Sequence, residues 1–287
     1  MAYVAVRGGA SAIEASVERL EFLRTRSGRV VDVADISAGL SALVTQVMSE
    51  ASLYAPSLAA LAIKQAQGSP EEAVFILRAY RSTVPRLHYT GTLTTDSMRV
   101  QRRISAAFKD VPGGQILGAS TDYTHRLLNF DLIQENADEI VRQLQEYHHS
   151  ARDPVPIETY PKVIDYLRAE GLLVPVPEDN TPPKDVTTSS ISFPTVRSER
   201  LQTLTRGQTG AVTALGYAAL RAYGGGAMHA TVGEVRVGML PVLVPDPGGS
   251  TDNEDAHYVG EIELTEVETL IPVRVPRGEG RYDIDFE

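Results

Sequence analysis

The chain has 287 residues, no cysteine, 43% hydrophobic and 22% charged residues, and a formal net charge of −10. Such a chain can bury one large core or two modest ones, while disulfides, thiolate metal sites and a cysteine nucleophile are excluded. The acidic balance argues against a broad nucleic-acid face. With no run of membrane-spanning length and no apolar export core, a cytoplasmic protein without a membrane partner is expected.

In chain order, Tyr3 to Val6 is a short apolar run that stops at Gly8-Gly9, as a strand and a turn would. From Ala10 the spacing of Ile13, Val17 and Leu20 predicts a helix with one buried stripe. A second helical pattern runs through Ile36, Leu40, Leu43, Val44 and Val47 with Asp35 as cap, and a third starts after Pro56 and stops at Gly68. The fourth has Ser69 as N-cap, Pro70 in the first turn and Glu72 for a capping box, with Ala73, Val74, Leu77 and Tyr80 as its apolar face. From Arg99 to Phe108, Val100, Ile104, Ala106 and Phe108 share one parity, so this stretch is expected as a strand, with a helix as the competing assignment. "VPGG" then turns the chain, and Gln115 to Tyr123 returns as partner strand of a hairpin.

Ile133, Ala137, Ile140, Val141 and Leu144 mark another amphipathic helix, and Val163, Ile164 and Leu167 a short one that ends at Gly171. "VPVPEDNTPPKDVTTSS" is an extended linker or docking segment. Two helices broken near Gly207 follow, then the strand-like runs "GEVRVGMLPVLV" and "YVGEIELTEVETLIPV", in which Glu261, Glu263 and their neighbours alternate onto one solvent face. The fold class expected is α+β. A mainly helical part, 1–150, carries a hairpin at about 99–123; a linker, 151–196, holds one short helix; helices and antiparallel strands fill 197–287.

Three polar clusters suggest chemistry. Arg99, Arg102, Arg103 and Lys109 gather before Gly113 and Gly114, with Gln115 beside them, in a chain that is acidic elsewhere. Guanidinium groups bind phosphate bidentately and a glycine turn can offer N–H groups, so a small polyanion is one reading and a solvated strand face the other. "DYTHR" places Asp122, His125 and Arg126 together: a carboxylate–imidazole pair for proton transfer and a cation for developing negative charge, or a histidine satisfied by local backbone. Arg206, Tyr217, Arg221 and Tyr223 surround glycine breaks. Tyr217 and Arg221 share a helix face that can stack a base and hold a phosphate, although helix packing through Gly210 and Gly216 uses the same pattern. His148-His149, His229 and His257 supply no third ligand, and no metal site is expected.

The blocks "YVAVRGG", "ALAIKQAQG", "FILRAYRST", "RRISAAFKDVPGGQILG", "DYTHRLLNF", "RLQTLTRGQTG", "ALGYAALRAYG" and "GEVRVGMLPV" follow one another as they do in the PhnI family, core subunits of the bacterial carbon–phosphorus lyase system. The resemblance runs to about Pro272. It implies displacement of adenine from ATP by methylphosphonate, giving alpha-D-ribose 1-methylphosphonate 5-triphosphate, and purine nucleosidase activity on ATP or GTP when the subunit is alone. It also implies PhnG, PhnH, PhnJ and PhnL subunits as partners, and ATP with Mg as substrate with no cofactor in this chain. The family pattern continues into a "GYG" helix and a tail with metal-binding histidines, whereas this chain stops at "RYDIDFE", so a missing C-terminal segment is expected. The alternative to an enzyme subunit is a non-catalytic scaffold of the same complex.

Overall fold

The computed structural model describes residues 5–105, 107, 110–111, 113–121, 124–150, 161–173, 181–220, 232–246, 256–270, 272–278 and 281–286. The fold is α+β, in two compact units that interleave along the chain: residues 1–87 with 182–209, and 88–181 with 210–287. The division expected near 150 and 197 is therefore not where the units part. Each unit closes only when a C-terminal segment returns to it.

Unit one is helical. Its first helix, α1 (Gly9–Thr25), buries none of its residues. Ile13, Val17 and Leu20 are 52%, 62% and 54% exposed, so the expected buried stripe is an exposed one. The run before it forms no strand at Ala5 and Val6, and residues 1–4 lie outside those described. The second helical pattern splits into α2 (Val33–Gly39) and α3 (Ser41–Ala51), because Leu40 leaves helical geometry with ψ at 41°. The cap is Asp32 rather than Asp35: its Oδ1 accepts from the Ala34 N–H at 2.8 Å. Two further helices, α4 (Pro56–Gln65) and α5 (Pro70–Thr83), both begin on a proline, whose absent N–H costs nothing in a first turn. Ser69 caps α5 as expected, accepting from the Glu72 N–H. Val47, Ala59, Ala60, Ala73 and Leu77 bury in the shared core, where the alanines let α4 approach its neighbours closely. Burying each larger side chain is worth roughly 1.5–3 kcal/mol.

Unit two is built on an antiparallel sheet in the order β1 (Arg99–Ile104), β2 (Gly233–Val244), β3 (His257–Thr269). Among the described residues, the expected hairpin partner of β1 is reduced to a single bridge, Arg103 opposite Ile116. Its real partner is β2, more than a hundred residues later, with Arg103 opposite Arg236. Gly118 explains why the return segment cannot simply be a strand. Its φ is 62°, and a Cβ there would fall 2.6 Å from the Gln101 carbonyl oxygen. A second ladder joins β4 (Pro272–Gly278) to β5 (Arg281–Phe286), the strand that Tyr282, Ile284 and Phe286 signal by alternation.

Helices α6 (Ala137–Ser150), α7 (Val163–Ala169) and α9 (Thr209–Leu220) fall where periodicity puts them, and α8 (Arg197–Gly207) belongs to unit one. Val163, Ile164 and Leu167 of α7 bury with Val111 and Leu270 in a second core. Gly216 of α9 does serve close packing, but against a strand. A Cβ there would sit 3.1 Å from the Val267 side chain, while Gly210 has open space around it.

Candidate functional site

The basic stretch is largely spent inside unit two. Arg103 is 2% exposed, and its Nε donates to Glu234 Oε2 at 2.7 Å while Nη2 donates to the Pro161 carbonyl. Glu234 Oε1 accepts the N–H of Val163, the first residue of α7, where the helix dipole favours negative charge. The strand parity expected for β1 is thus inverted at this position: an arginine points inward because a buried carboxylate waits for it. Arg99 pairs with Glu261 across the sheet at 2.7 Å, and Arg102 lies 3.5 Å from the Leu117 carbonyl.

The glycine turn is likewise occupied. Gly113 and Gly114 both adopt positive φ, 82° and 75°, and the Gly114 N–H is taken by the Val111 carbonyl at 2.7 Å. Gln115 pairs its side-chain amide with both backbone groups of Ser105, as a strand neighbour would. Lys109 and Asp122 lie outside the described residues. His125 is exposed, and Arg126 follows it with a strained φ of 51°.

The structure brings together a cluster that sequence alone did not single out. On β3, Glu266 receives hydrogen bonds from Lys162 Nζ at 3.0 Å, from Thr95 Oγ1 and from Arg236 Nε at 2.9 Å. Burial alone would raise this carboxyl, but those hydrogen bonds and the Arg236 charge outweigh it and hold the group below its ordinary value. Burial also works against charge on Lys162, yet Glu266 and Glu268 more than offset it and raise the ammonium. Glu268 behaves in the opposite sense. Its Oε1 lies 3.8 Å from Lys162, its Oε2 is buried without a hydrogen-bond partner, and burial raises its carboxyl despite the lysine. The signal in the sequence was the spacing of Glu266 and Glu268 on the strand face opposite Glu261 and Glu263. Only Lys162, a hundred residues upstream, says that this face is covered.

Tyr217 is 43% exposed on α9 in unit two, and Arg221 and Tyr223 lie outside the described residues. Arg206 belongs to unit one, beside Arg78, Arg81 and Arg86. Among the described residues no group of three or more His, Asp or Glu side chains could hold a metal ion, and no helix is long and apolar enough to cross a membrane.

A family model described as bacterial phosphonate metabolism protein (PhnI) matches residues 2–286. The chain belongs to the PhnI family. Among PhnI relatives, the alpha-D-ribose 1-methylphosphonate 5-triphosphate synthase subunit PhnI of Rhizobium meliloti is 44% identical over 252 residues, covering 85% of this chain and 64% of that protein. The subunit of the same name from Escherichia coli is 39% identical over 280 residues, 96% of this chain and 75% of its own length. HtxH of Stutzerimonas stutzeri is 42% identical over 273 residues, 94% of this chain and 72% of its own. This chain therefore spans about two thirds to three quarters of the length of these PhnI-like proteins.

Proposed function

We propose that this chain acts in phosphonate catabolism as a subunit of an alpha-D-ribose 1-methylphosphonate 5-triphosphate synthase. The observation that supports the reading is the near-complete match to the PhnI family together with two relatives bearing that name. In the reaction the N-glycosidic bond of Mg-bound ATP breaks, a methylphosphonate oxygen bonds to the ribose C1, and adenine leaves with a proton. With water in place of phosphonate the same bond cleavage is a purine nucleosidase reaction on ATP or GTP. PhnG, PhnH, PhnJ and PhnL subunits are the partners and the cytoplasm the compartment.

The ribose gains positive charge in the transition state and the departing purine gains negative charge. Asp122 stabilises the first or activates the nucleophile; His125 protonates the second, with Arg126 beside it. Tyr217 offers an aromatic face to the base. Glu268 is a second candidate for the acid–base role, because its Oε2 is buried without a hydrogen-bond partner among the described residues while Lys162 lies 3.8 Å from its Oε1. A non-catalytic scaffold remains the competing reading, favoured by the exposed apolar faces of α1 and of α6, where Ile140, Val141 and Leu144 are uncovered.

Adenine release from ATP and methylphosphonate, followed chromatographically with the partner subunits present, tests the proposal. Asp122→Asn and His125→Ala are expected to lower turnover by roughly a hundredfold or more with ATP affinity little changed. Parent-like rates in both variants would remove the acid–base assignment, and rate loss in Glu268→Gln alone would transfer it to Glu268. No release from the parent complex would leave the scaffold.

A further inference from the structure

Unit one brings four guanidinium groups, those of Arg78, Arg81, Arg86 and Arg206, within electrostatic reach of one another. Two of them have a structural task at the C-terminus of α3. Arg78 donates to the Glu50 carbonyl at 2.7 and 3.1 Å, and Arg81 to the Ala51 and Ser52 carbonyls at 2.7 and 3.1 Å. The negative end of a helix dipole amounts to about half a charge, which one cation already balances. Arg86 bonds Thr187 instead, at its Oγ1 (2.9 Å) and its carbonyl (3.2 Å). Arg206 accepts an Arg78 hydrogen bond on its own carbonyl, but its side-chain Nε is buried with no acceptor among the described residues.

Among the described residues, the carboxylate of Asp185 acts on Arg81 and Arg206, and both of its oxygens already accept from Thr187, N–H to Oδ1 at 2.7 Å and Oγ1 to Oδ2 at 2.9 Å. The Glu50 carboxylate is engaged elsewhere, with Oε1 accepting from Gln46 and from both the N–H and the hydroxyl of Thr209. The imbalance registers on the groups themselves. Burial, and then the charges of neighbouring arginines, pull Arg81 and Arg206 below the ordinary arginine value, although both stay protonated. A fold gains nothing from assembling like charges around a donor that lacks an acceptor. A ligand that supplies the missing negative oxygens does.

We propose that the Arg78–Arg81–Arg86–Arg206 cluster is an oxyanion site that takes the phosphate groups of a polyphosphorylated ligand. Planar guanidinium forks match phosphate oxygens in pairs, and a multiply charged anion can satisfy several of them at once, which a carboxylate cannot. The inference deepens the synthase reading, from which it takes only the choice of a triphosphate; the charge imbalance stands without it.

Calorimetric titration of the full chain with inorganic triphosphate tests the site. Arg206→Met and Arg86→Met are each expected to weaken binding about tenfold or more, as for a lost hydrogen bond to a charged group. Arg168→Met, which removes an exposed pair with Asp165 in unit two, should stay within about twofold. A second readout separates a ligand site from a structural role. Without ligand, Arg206→Met should melt at or above the parent temperature, since it removes a repelled cation and an orphan donor, whereas loss of a structural arginine lowers the melting temperature. No saturable triphosphate binding by the parent, or equal binding in parent and both variants, overturns the site. Intact triphosphate binding with no adenine release by the complex overturns the synthase reading and leaves the site standing.

Discussion

Glu266 and Glu268 are two residues apart on one face of β3, yet their surroundings shift the two carboxyls in opposite directions. Both lose water on folding. Glu266 recovers the loss through donors on three residues, while the Oε2 of Glu268 has none among the described residues. The consequences for stability have opposite signs. Glu266, depressed in the fold, stabilises the protein above the ordinary glutamate value, and that contribution is lost as pH falls through its lower folded value. Glu268, raised in the fold, contributes below the ordinary value, and that contribution is lost as pH rises through its higher folded value. The urea midpoints of the parent and of Glu268→Gln should therefore diverge in the parent's favour as the pH is lowered from neutral toward the ordinary glutamate value. Parallel midpoints for the two proteins would contradict the raised carboxyl. At this scale the sequence announced the alternation of the strand but not which face was wet. The residue that decides it, Lys162, lies on another element.

Among elements, the buried Arg103–Glu234 pair ties β1, β2 and the start of α7 into one unit. Removing one partner strands the other charge in the interior. Arg103→Met and Glu234→Gln are each expected to cost about 3–5 kcal/mol in denaturant unfolding. The double variant should cost clearly less than the sum, because the second change removes a charge already orphaned. Additive losses would show that the two residues act independently. The same pair explains why the hairpin expected at 99–123 fails. Local turn chemistry at Gly113-Gly114 does bring Ile116 back to Arg103, but β2 offers a full ladder and a carboxylate for the arginine. A distant partner that satisfies more groups wins over a near one. Helices α4, α5, α7, α8 and α9 were legible beforehand because caps, prolines and periodicity act within one turn or two of chain.

At the scale of the whole molecule, unit one is completed by residues 182–209, which return more than ninety residues after Leu87. Thr209 supplies both donors, at 3.0 Å each, to the Oε1 of Glu50, a residue only 6% exposed. A fragment ending at Leu87 leaves that carboxylate without them, at a cost of about 1–3 kcal/mol. The fragment should melt below the corresponding transition of the full chain, and a peptide of residues 182–209 added in trans should raise its melting temperature with concentration. A fragment as stable as the full chain would show that the return segment is dispensable.

The sequence by itself determined the α+β class, the positions of most helices, the strand-forming runs and, through ordered blocks of residues, the PhnI family. These are properties of short stretches, where spacing, capping and turn chemistry act locally. Tertiary structure alone decided which side chains are available. It buried Arg103 against Glu234, left the amphipathic α1 uncovered, grouped Lys162 with Glu266 and Glu268, and gathered arginines from positions 78 to 206 around one aspartate. Periodicity says that a face is apolar and composition says that a charge is present. Whether the face is covered or the charge is paired depends on residues a hundred positions away, whose arrival only the folded chain specifies.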